Sequence, residues 1–297
     1  MRKKLRPFLL GLALLLSFSL SGCTEAHETP SRETWEKPMS SEASYQYETQ
    51  ELYAQRGENQ IYGVVYIPKD AGEKMPAVIF SHGFGGTHSV GTQYAEALAQ
   101  KGYVVYCFDF CGGSPSSRSD GSTLEMSLFT EQADLEAVIS MMQGLNYVDR
   151  NNLFLMGTSQ GGAVSAVTGA AHPDEIRGMA LLYPAFLLSE QANEMYQSPE
   201  EIPDTSFFLW MDVGRAYFEP LIGYDIYEEI AAYEGDVLLI HGDADSIVPL
   251  SYSERALEVY PSAELKVISG GGHGFSGENA REVIRLILEY FETHRVS

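Results

Sequence analysis

A serine between two glycines, where an apolar run gives way to small residues, constrains this chain more than any other feature. Residues 153–156 predict a short buried strand, and residues 161–171 predict a helix of small side chains. Between them, Gly157-Thr158-Ser159-Gln160-Gly161 has the spacing G-x-S-x-G, in which the serine occupies a tight strand-to-helix corner. Such a corner exposes the serine hydroxyl and leaves the next N–H, that of Gln160, at a helix N-terminus. A plain turn could have the same five residues, so the interpretation of Ser159 as a nucleophile depends on a base and an acid elsewhere.

Two later strand ends supply the candidates for that base and acid. A strand at residues 237–240 leads into His241-Gly242-Asp243-Ala244-Asp245, and a strand at 265–268 leads into a glycine-rich loop around His273. The carboxyl ends of parallel strands meet at one edge of a sheet, so these loops are expected to lie near Ser159. We predict that His273 is the base and that Asp245 orients it, whereas Asp243 is expected to shape the turn.

The other histidines are less well placed to act as the base. His82 and His241 each end a strand and are expected to support their loops by packing or hydrogen bonding, and His88 is expected at the rim of the site. His27, His172 and His294 lie far from any glycine-rich strand end.

A second glycine-rich loop follows the apolar strand at residues 76–80. In Ser81-His82-Gly83-Phe84-Gly85-Gly86-Thr87 the glycines allow a close approach of the backbone to a substrate. The N–H groups of Phe84 and Gln160 are therefore the predicted pair of donors for a developing oxyanion. The alternative is an ordinary strand-to-helix turn.

The remaining segments alternate between strands and helices until about residue 185. Residues 45–53 and 60–67 predict a β-hairpin, and residues 123–144 predict one long helix with a leucine-rich stripe that includes Leu124. The stripe is expected to belong to the core and to have no chemical role, and Glu131 and Asp134 are expected on the opposite face of that helix. Residues 185–235, here called the inserted segment, are rich in aromatic side chains and predict a small cap over the site, in which residues 207–218 could form a hairpin. Those aromatic residues could equally form the core of the segment itself.

The first 44 residues are expected to be separate from the folded domain at 45–297. Residues 1–22 combine a basic start with an apolar run too short to span a membrane comfortably, and Leu20-Ser21-Gly22-Cys23 follows. This pattern resembles a bacterial lipoprotein signal, which implies cleavage before Cys23, a lipid on its thiol, and an extracytoplasmic protein attached to the membrane only through that lipid. Residues 23–44 are expected to be a flexible tether. An ordinary secretory signal is the alternative, and Cys107 and Cys111 are expected to be two free thiols rather than a disulfide.

Composition excludes several classes of function. The net charge of −22 disfavours nucleic acid as a partner because phosphates would be repelled. The histidines, cysteines and acids lack the spacing of common metal sites, and no phosphate-binding G-x-x-x-x-G-K is present, so neither a metal nor a cofactor is expected.

Taken together, these motifs resemble the α/β-hydrolase superfamily and, within it, bacterial cinnamoyl and feruloyl esterases. The resemblance covers residues 50–295 and rests on HGFGG at 82–86, GTSQGG at 157–162, HGDADSIVP at 241–249 and GGGHGF at 270–275. It implies an α/β fold with a mostly parallel eight-stranded sheet, helices on both faces and a small cap, a Ser159–His273–Asp245 triad, and an oxyanion hole formed by Phe84 and Gln160. Thr158 stands where many relatives have histidine.

The expected activity is hydrolysis of a small ester through an acyl-enzyme intermediate, without a cofactor. A serine aminopeptidase would use the same triad and would require acids near the site to bind a free amine. Glu190, Glu194, Glu219 and Asp225 of the inserted segment leave that alternative open. A catalytically silent lipoprotein that captures a substrate is the third hypothesis, and the presence of all three triad residues argues against it.

Overall fold

The computed structural model describes residues 44–296, in which a central eight-stranded sheet is built from short apolar runs. The strands are β1 (Tyr47–Arg56), β2 (Asn59–Pro68), β3 (Met75–Ser81), β4 (Val104–Phe108), β5 (Val148–Thr158), β6 (Gly178–Leu182), β9 (Asp236–Gly242) and β10 (Ala263–Ile268). Strands β7 (Thr205–Phe208) and β8 (Met211–Gly214) form a separate antiparallel pair. The predicted lipoprotein signal, Cys23 and the tether as far as residue 43 lie outside the described residues.

The order of strands across the sheet is β1-β2-β4-β3-β5-β6-β9-β10. Strand β2 pairs antiparallel with both neighbours, and the other described pairs in this sheet are parallel. The predicted hairpin at the start of the domain is therefore confirmed as β1–β2. The side chains of β3, β4, β6 and β9, and those of β5 from Asn152 onward, are almost entirely buried, because helices cover both faces of a parallel sheet.

Helices lie on both faces of the sheet, as expected. The α-helices are α1 (Thr92–Ala99), α2 (Leu128–Gly144), α3 (Gln160–Ala171), α4 (Leu188–Met195), α5 (Arg215–Phe218), α6 (Ile226–Ile230), α7 (Ser251–Val259) and α8 (Gly277–His294). Alternate residues of β3 point to opposite faces: Ile79 packs in the core shared with α2 and α3, and Phe80 packs in the core shared with α1 and α8. No helix among residues 44–296 is long and apolar enough to cross a membrane.

The long helix begins later than the sequence predicts, at Leu128 instead of residue 123. Ser127 caps its N-terminus: the Ser127 side chain accepts from the Thr130 N–H, and the Thr130 hydroxyl accepts from the Ser127 N–H. Leu124 therefore lies outside the helix and is 44% exposed.

The placement of Glu131 and Asp134 on the solvent face is wrong, since both are buried. Glu131 lies three residues after Leu128 and four before Leu135, so helical spacing places it on the buried stripe with those leucines.

The inserted segment is irregular compared with the rest of the chain. It contains α4, the β7–β8 hairpin, α5, α6 and two 3-10 turns, at Pro199–Glu201 and Glu219–Leu221. The hairpin predicted near residues 207–218 is present, but it spans 205–214 and is followed by α5. Many of its aromatic residues are buried, including Phe208, Tyr217 and Phe218.

Cys107 and Cys111 are both buried free thiols, in agreement with the sequence-based expectation. Cys107 is on β4 and Cys111 is in the loop after it.

Candidate active site

Ser159 lies at the corner between β5 and α3, with φ of 52°, a backbone region that few non-glycine residues adopt. The corner is tight because a Cβ at Gly157 would lie 2.2 Å from the Gly161 carbonyl oxygen, and a Cβ at Gly161 would lie 2.3 Å from the carbonyl oxygens of Ser81 and His82. Glycine at these two positions therefore allows the strand, the helix and the β3 loop to meet around Ser159.

The structure brings Ser159, His273 and Asp245 into one hydrogen-bonded chain. His273 Nε2 lies 2.9 Å from Ser159 Oγ, and His273 Nδ1 lies 2.8 Å from Asp245 Oδ2. A carboxylate only accepts, so Nδ1–H donates to Asp245 and Nε2 is left to accept the serine proton. The Asp245 side chain is fully buried, and the His273 side chain is 14% exposed. This arrangement can raise the nucleophilicity of the serine hydroxyl.

The other oxygen of Asp245 is held by its own loop. Asp245 Oδ1 accepts hydrogen bonds from the Ile247 and Val248 N–H groups, at 2.8 and 2.9 Å. Asp243 plays a different role, since its Oδ1 accepts from the Gly270 N–H at 2.6 Å and thereby joins the loop after β9 to the loop that carries His273. Asp243 therefore links two neighbouring loops through its side chain, rather than shaping its own turn through its backbone as the sequence predicts.

His241 also supports this loop and does not approach Ser159. Its Nε2 lies 2.9 Å from the Val248 carbonyl oxygen, and its Nδ1 lies 2.7 Å from the Ser253 hydroxyl. Burial lowers the pKa of His241, which favours a neutral ring that donates from Nε2 to Val248.

The loop after β3 lies directly against Ser159. A Cβ at Gly83 would lie 3.0 Å from the Ser159 Cβ, so only glycine allows this approach without a shift. His82 holds the loop from behind: its Nδ1 lies 2.8 Å from the Gly83 carbonyl oxygen, and its Nε2 accepts from the Phe110 N–H at 3.2 Å. Burial lowers the pKa of His82, consistent with a neutral supporting ring.

The N–H groups of Phe84 and Gln160 are available for an oxyanion. Neither donates to an acceptor elsewhere in residues 44–296, and the Gln160 N–H belongs to the first turn of α3, where helix N–H groups have no partner within the helix. The site therefore offers an activated hydroxyl beside two unpaired backbone donors, as acyl transfer requires.

Aromatic residues of the inserted segment surround the loop that carries Phe84. The Phe84 ring makes edge-to-face contacts with Phe208, Trp210 and Tyr217, with ring centroids 5.4–5.5 Å apart. The Trp210 indole also lies over Gly85, where a Cβ would be 2.4 Å from its Nε1. The segment thus both buries aromatic residues of its own and borders the site.

His88 is tied to a structural cluster and not to the triad. Its Nδ1 lies 2.7 Å from Asp109 Oδ1, and Asp109 also accepts from the His88 and Arg118 N–H groups. Arg118 in turn lies over the Tyr62 ring, with its guanidinium carbon 3.6 Å from the ring centroid. Within residues 44–296 no group of three or more histidine, cysteine or acidic side chains is arranged to hold a metal ion.

Two further buried residues lie next to the site, and the sequence alone did not reveal them. The Gln160 side chain donates from Nε2 to Glu131 Oε2 at 2.7 Å and accepts at Oε1 from the Tyr217 hydroxyl at 2.7 Å. The spacing of Glu131 from Leu128 and Leu135 could have revealed its burial. No pattern in the inserted segment singles out Tyr217 among its many aromatic residues.

The sequence of this chain is similar to those of known hydrolases and of an uncharacterized protein. A family model described as serine aminopeptidase, S33, matches residues 72–211. Lipase 3 of Moraxella sp. (strain TA144) is 25% identical over 301 residues, which cover 89% of this chain and 91% of the lipase. An uncharacterized protein of Mycobacterium tuberculosis is 29% identical over 213 residues, which cover 70% of this chain and 66% of that protein, just under two thirds of its length.

The solved structure of Est1E from Butyrivibrio proteoclasticus with ferulic acid bound has the same fold. Its TM-score is 0.75 at 24% identity, and the alignment covers 82% of this chain and 98% of Est1E. The chain therefore has the predicted fold, with a mostly parallel sheet, helices on both faces and an irregular segment between β6 and β9.

Proposed function

We propose that this α/β hydrolase is a serine carboxylesterase that cleaves small esters through an acyl-enzyme intermediate. The observation that carries the proposal is the continuous hydrogen-bonded chain from Ser159 through His273 to Asp245. Two backbone N–H groups without an acceptor among the described residues support it further: Gln160 directly follows Ser159, and Phe84 directly follows Gly83, which lies against Ser159.

The proposed reaction has two halves, acylation of Ser159 and hydrolysis of the acyl-enzyme, and His273 acts first as a base and then as an acid in each. His273 Nε2 takes the proton of Ser159 as Oγ attacks the ester carbonyl, and the Phe84 and Gln160 N–H groups hold the resulting oxyanion. His273 then gives its proton to the leaving alcohol, which leaves an acyl group on Ser159. His273 then takes a proton from water as the water oxygen attacks that acyl group. Collapse of the second tetrahedral intermediate breaks the bond to Ser159 Oγ, which receives the proton from His273 as the acid is released. Each oxyanion donor is expected to contribute about 3 kcal/mol to lowering the barrier.

An aromatic acyl group, of the cinnamoyl or feruloyl type, is the substrate that we favour. The exposed Trp210 ring, which contacts Phe84, supports this choice, since a planar acyl ring could stack against it. The structural similarity to Est1E, which was solved with ferulic acid, is consistent with it.

The test compares hydrolysis of aryl esters by the wild-type protein and by Ser159→Ala. Esters that share an alcohol and differ in the acyl part, from acetyl to feruloyl, would define the acyl preference. Ser116→Ala is a matched control because Ser116 is an exposed serine of the loop after β4. We expect Ser159→Ala to abolish hydrolysis and labelling by a fluorophosphonate, and Ser116→Ala to leave both unchanged. Equal hydrolysis by wild type and Ser159→Ala would disprove the proposal.

A serine aminopeptidase is the second candidate, because the family model that matches residues 72–211 is described in those terms. Recognition of a free amine would require an uncommitted acid near the site. Glu190 instead pairs with Arg255 at 2.7 Å, and Asp225 caps α6 by accepting from the Tyr227 N–H. To separate the two activities, the rate of hydrolysis of an aminoacyl arylamide is compared with that of an aryl ester of the same leaving-group class. A protein that captures a substrate without reacting would not be labelled by the fluorophosphonate.

The cellular location is a separate part of the proposal. We propose that Cys23 carries a lipid that attaches an extracytoplasmic domain to the bacterial membrane; this rests on the sequence of residues 1–23. Cells fed a labelled fatty acid should incorporate it into the wild-type protein and not into Cys23→Ser. Equal labelling of both would refute the anchor.

A further inference from the structure

A fully buried chain of three polar side chains lies immediately behind the candidate oxyanion site. The Tyr217 hydroxyl donates to Gln160 Oε1, and Gln160 Nε2 donates to Glu131 Oε2, each at 2.7 Å. Each of the three residues is at most 2% exposed. They come from three separate elements: Tyr217 from α5 of the inserted segment, Gln160 from the first turn of α3, and Glu131 from α2.

Tyr217 contacts both residues whose N–H groups we assign to the oxyanion hole. Its hydroxyl reaches the Gln160 side chain, and its ring makes an edge-to-face contact with the Phe84 ring at 5.5 Å. The two N–H donors belong to different elements, one to the loop after β3 and the other to the first turn of α3, so their separation depends on what joins those elements. Tyr217 is a rigid side chain that contacts a residue of each.

The hydrogen bonds hold the Gln160 amide at both ends. The amide oxygen accepts from the Tyr217 hydroxyl, and the amide nitrogen donates to a carboxyl oxygen of Glu131. Burial raises the pKa of Tyr217, which keeps its hydroxyl protonated and able to donate. Loss of either partner would leave a buried polar atom of Gln160 unpaired, at the residue that supplies a backbone donor.

We propose that Tyr217, the Gln160 side chain and Glu131 are positioning residues that hold the Phe84 and Gln160 N–H groups at the separation that an oxyanion requires. The inference rests on the proposed function and deepens it: the inserted segment supports the reaction through Tyr217, independently of any contact that the segment makes with a substrate. The effect acts on the transition state, because the oxyanion forms only there.

Ionisation of Glu131 gives this arrangement a distinctive dependence on pH. Burial raises the pKa of Glu131 to about 8; the Gln160 hydrogen bond opposes this rise, and Asp134 on the same helix adds to it. The other titratable groups around this part of α2 are Tyr217, Arg56 and Cys111, and the last two contact Asp134. Above its pKa, a charged carboxylate would lie one side chain away from the developing oxyanion and repel it. We expect turnover to fall roughly tenfold across this ionisation.

Two variants of the full chain test the inference with an aryl ester as the probe. Tyr217→Phe keeps the ring on Phe84 and removes the hydroxyl; we expect kcat to fall about tenfold or more with KM within about twofold. Glu131→Gln keeps an acceptor for Gln160 and cannot ionise; we expect most of the activity at neutral pH to remain and the decline near pH 8 to disappear. Tyr196→Phe is the matched control, since its hydroxyl lies 3.2 Å from Ser206 in the same segment, away from Gln160.

The outcomes separate this inference from the proposed function. If the wild-type protein neither hydrolyses the ester nor takes up a fluorophosphonate at Ser159, the proposed function fails. If the wild-type protein is active through Ser159 but Tyr217→Phe has unchanged kcat, or Glu131→Gln retains the same decline above pH 8, the positioning role is overturned. A change in KM alone for Tyr217→Phe would also overturn it. Should Tyr217→Phe fail to fold, the pH profile of Glu131→Gln decides.

Discussion

Replacing Glu131 by glutamine should make the free energy of unfolding much less dependent on pH. The carboxyl of an unfolded glutamate titrates near 4.5, whereas burial raises the pKa of Glu131 in the folded protein to about 8. Between these values folding takes up a proton, so the stability that the protonated carboxyl contributes is fully present below pH 4.5 and is lost as the pH rises to about 8. The difference of about 3.5 pH units, at 1.36 kcal/mol per unit, corresponds to about 5 kcal/mol.

This amount is large compared with the whole stability of an ordinary domain, about 5–15 kcal/mol. The assay is urea unfolding of wild type and Glu131→Gln, followed by circular dichroism, at several pH values between about 5 and 8. As the pH rises across this range, we expect the free energy of unfolding of the wild type to fall by several kcal/mol more than that of the variant. Asp134, whose pKa is also raised by burial, is present in both proteins, so its own contribution cancels apart from its interaction with Glu131.

Glu125→Gln is the control, because Glu125 is exposed just before α2. Its stability should run parallel to that of the wild type. If the Glu131→Gln curve also ran parallel to the wild type between pH 5 and 8, the carboxyl would be ionised or solvated in the folded protein. The explanation of the alkaline decline in activity would then fail as well.

Three further substitutions or reactions test other parts of the structure. Gly83→Ala would place a Cβ 3.0 Å from the Ser159 Cβ, so we expect kcat for an aryl ester to fall about tenfold while the urea midpoint changes little; full activity would contradict the close approach of this loop. Asp245→Asn should lower kcat at neutral pH by about 10⁴-fold because His273 would lose the acceptor that selects its tautomer, and a loss of less than tenfold would exclude that role. Cys107 is buried and burial raises its pKa, so iodoacetamide should modify it only after denaturation, as measured by mass spectrometry of the peptide; rapid labelling of the folded protein would show that the β4 core opens.

The parts of the site that the sequence predicted are those fixed by strand ends. Ser159, Asp245 and His273 each follow a recognisable apolar strand, and the parallel sheet brings such ends together whatever lies between them in the chain. The role of the glycines around them could also be predicted from the sequence, since their spacing reflects backbone contacts that a Cβ would block.

The parts of the site that the sequence did not predict are contacts between buried polar side chains from different elements. Glutamate is ordinarily charged, and charge normally indicates a solvent face, yet the spacing of Glu131 from Leu128 and Leu135 places it inside. Its burial becomes understandable only with its partner, the Gln160 amide, which arrives from another helix. Tyr217 lies in an irregular segment where periodicity carries no information, so its contact with Gln160 emerges only in the folded chain.

The geometry of the triad follows from hydrogen bonds that continue the sheet beyond its strands. At three successive strand ends, an N–H just past one strand donates to a carbonyl at or near the end of the next strand. The pairs are Ser159 to Leu182 at 2.9 Å, Tyr183 to Ile240 at 2.7 Å, and Asp243 to Ile268 at 3.2 Å. Ser159 and Tyr183 both have positive φ, and these bonds help to hold that unfavourable backbone in place. The Tyr183 ring then packs against His273, with centroids 4.8 Å apart. The positions of Ser159, His273 and the Asp245 loop therefore follow from the register of β5, β6, β9 and β10. This register explains how residues 114 positions apart meet within hydrogen-bonding distance.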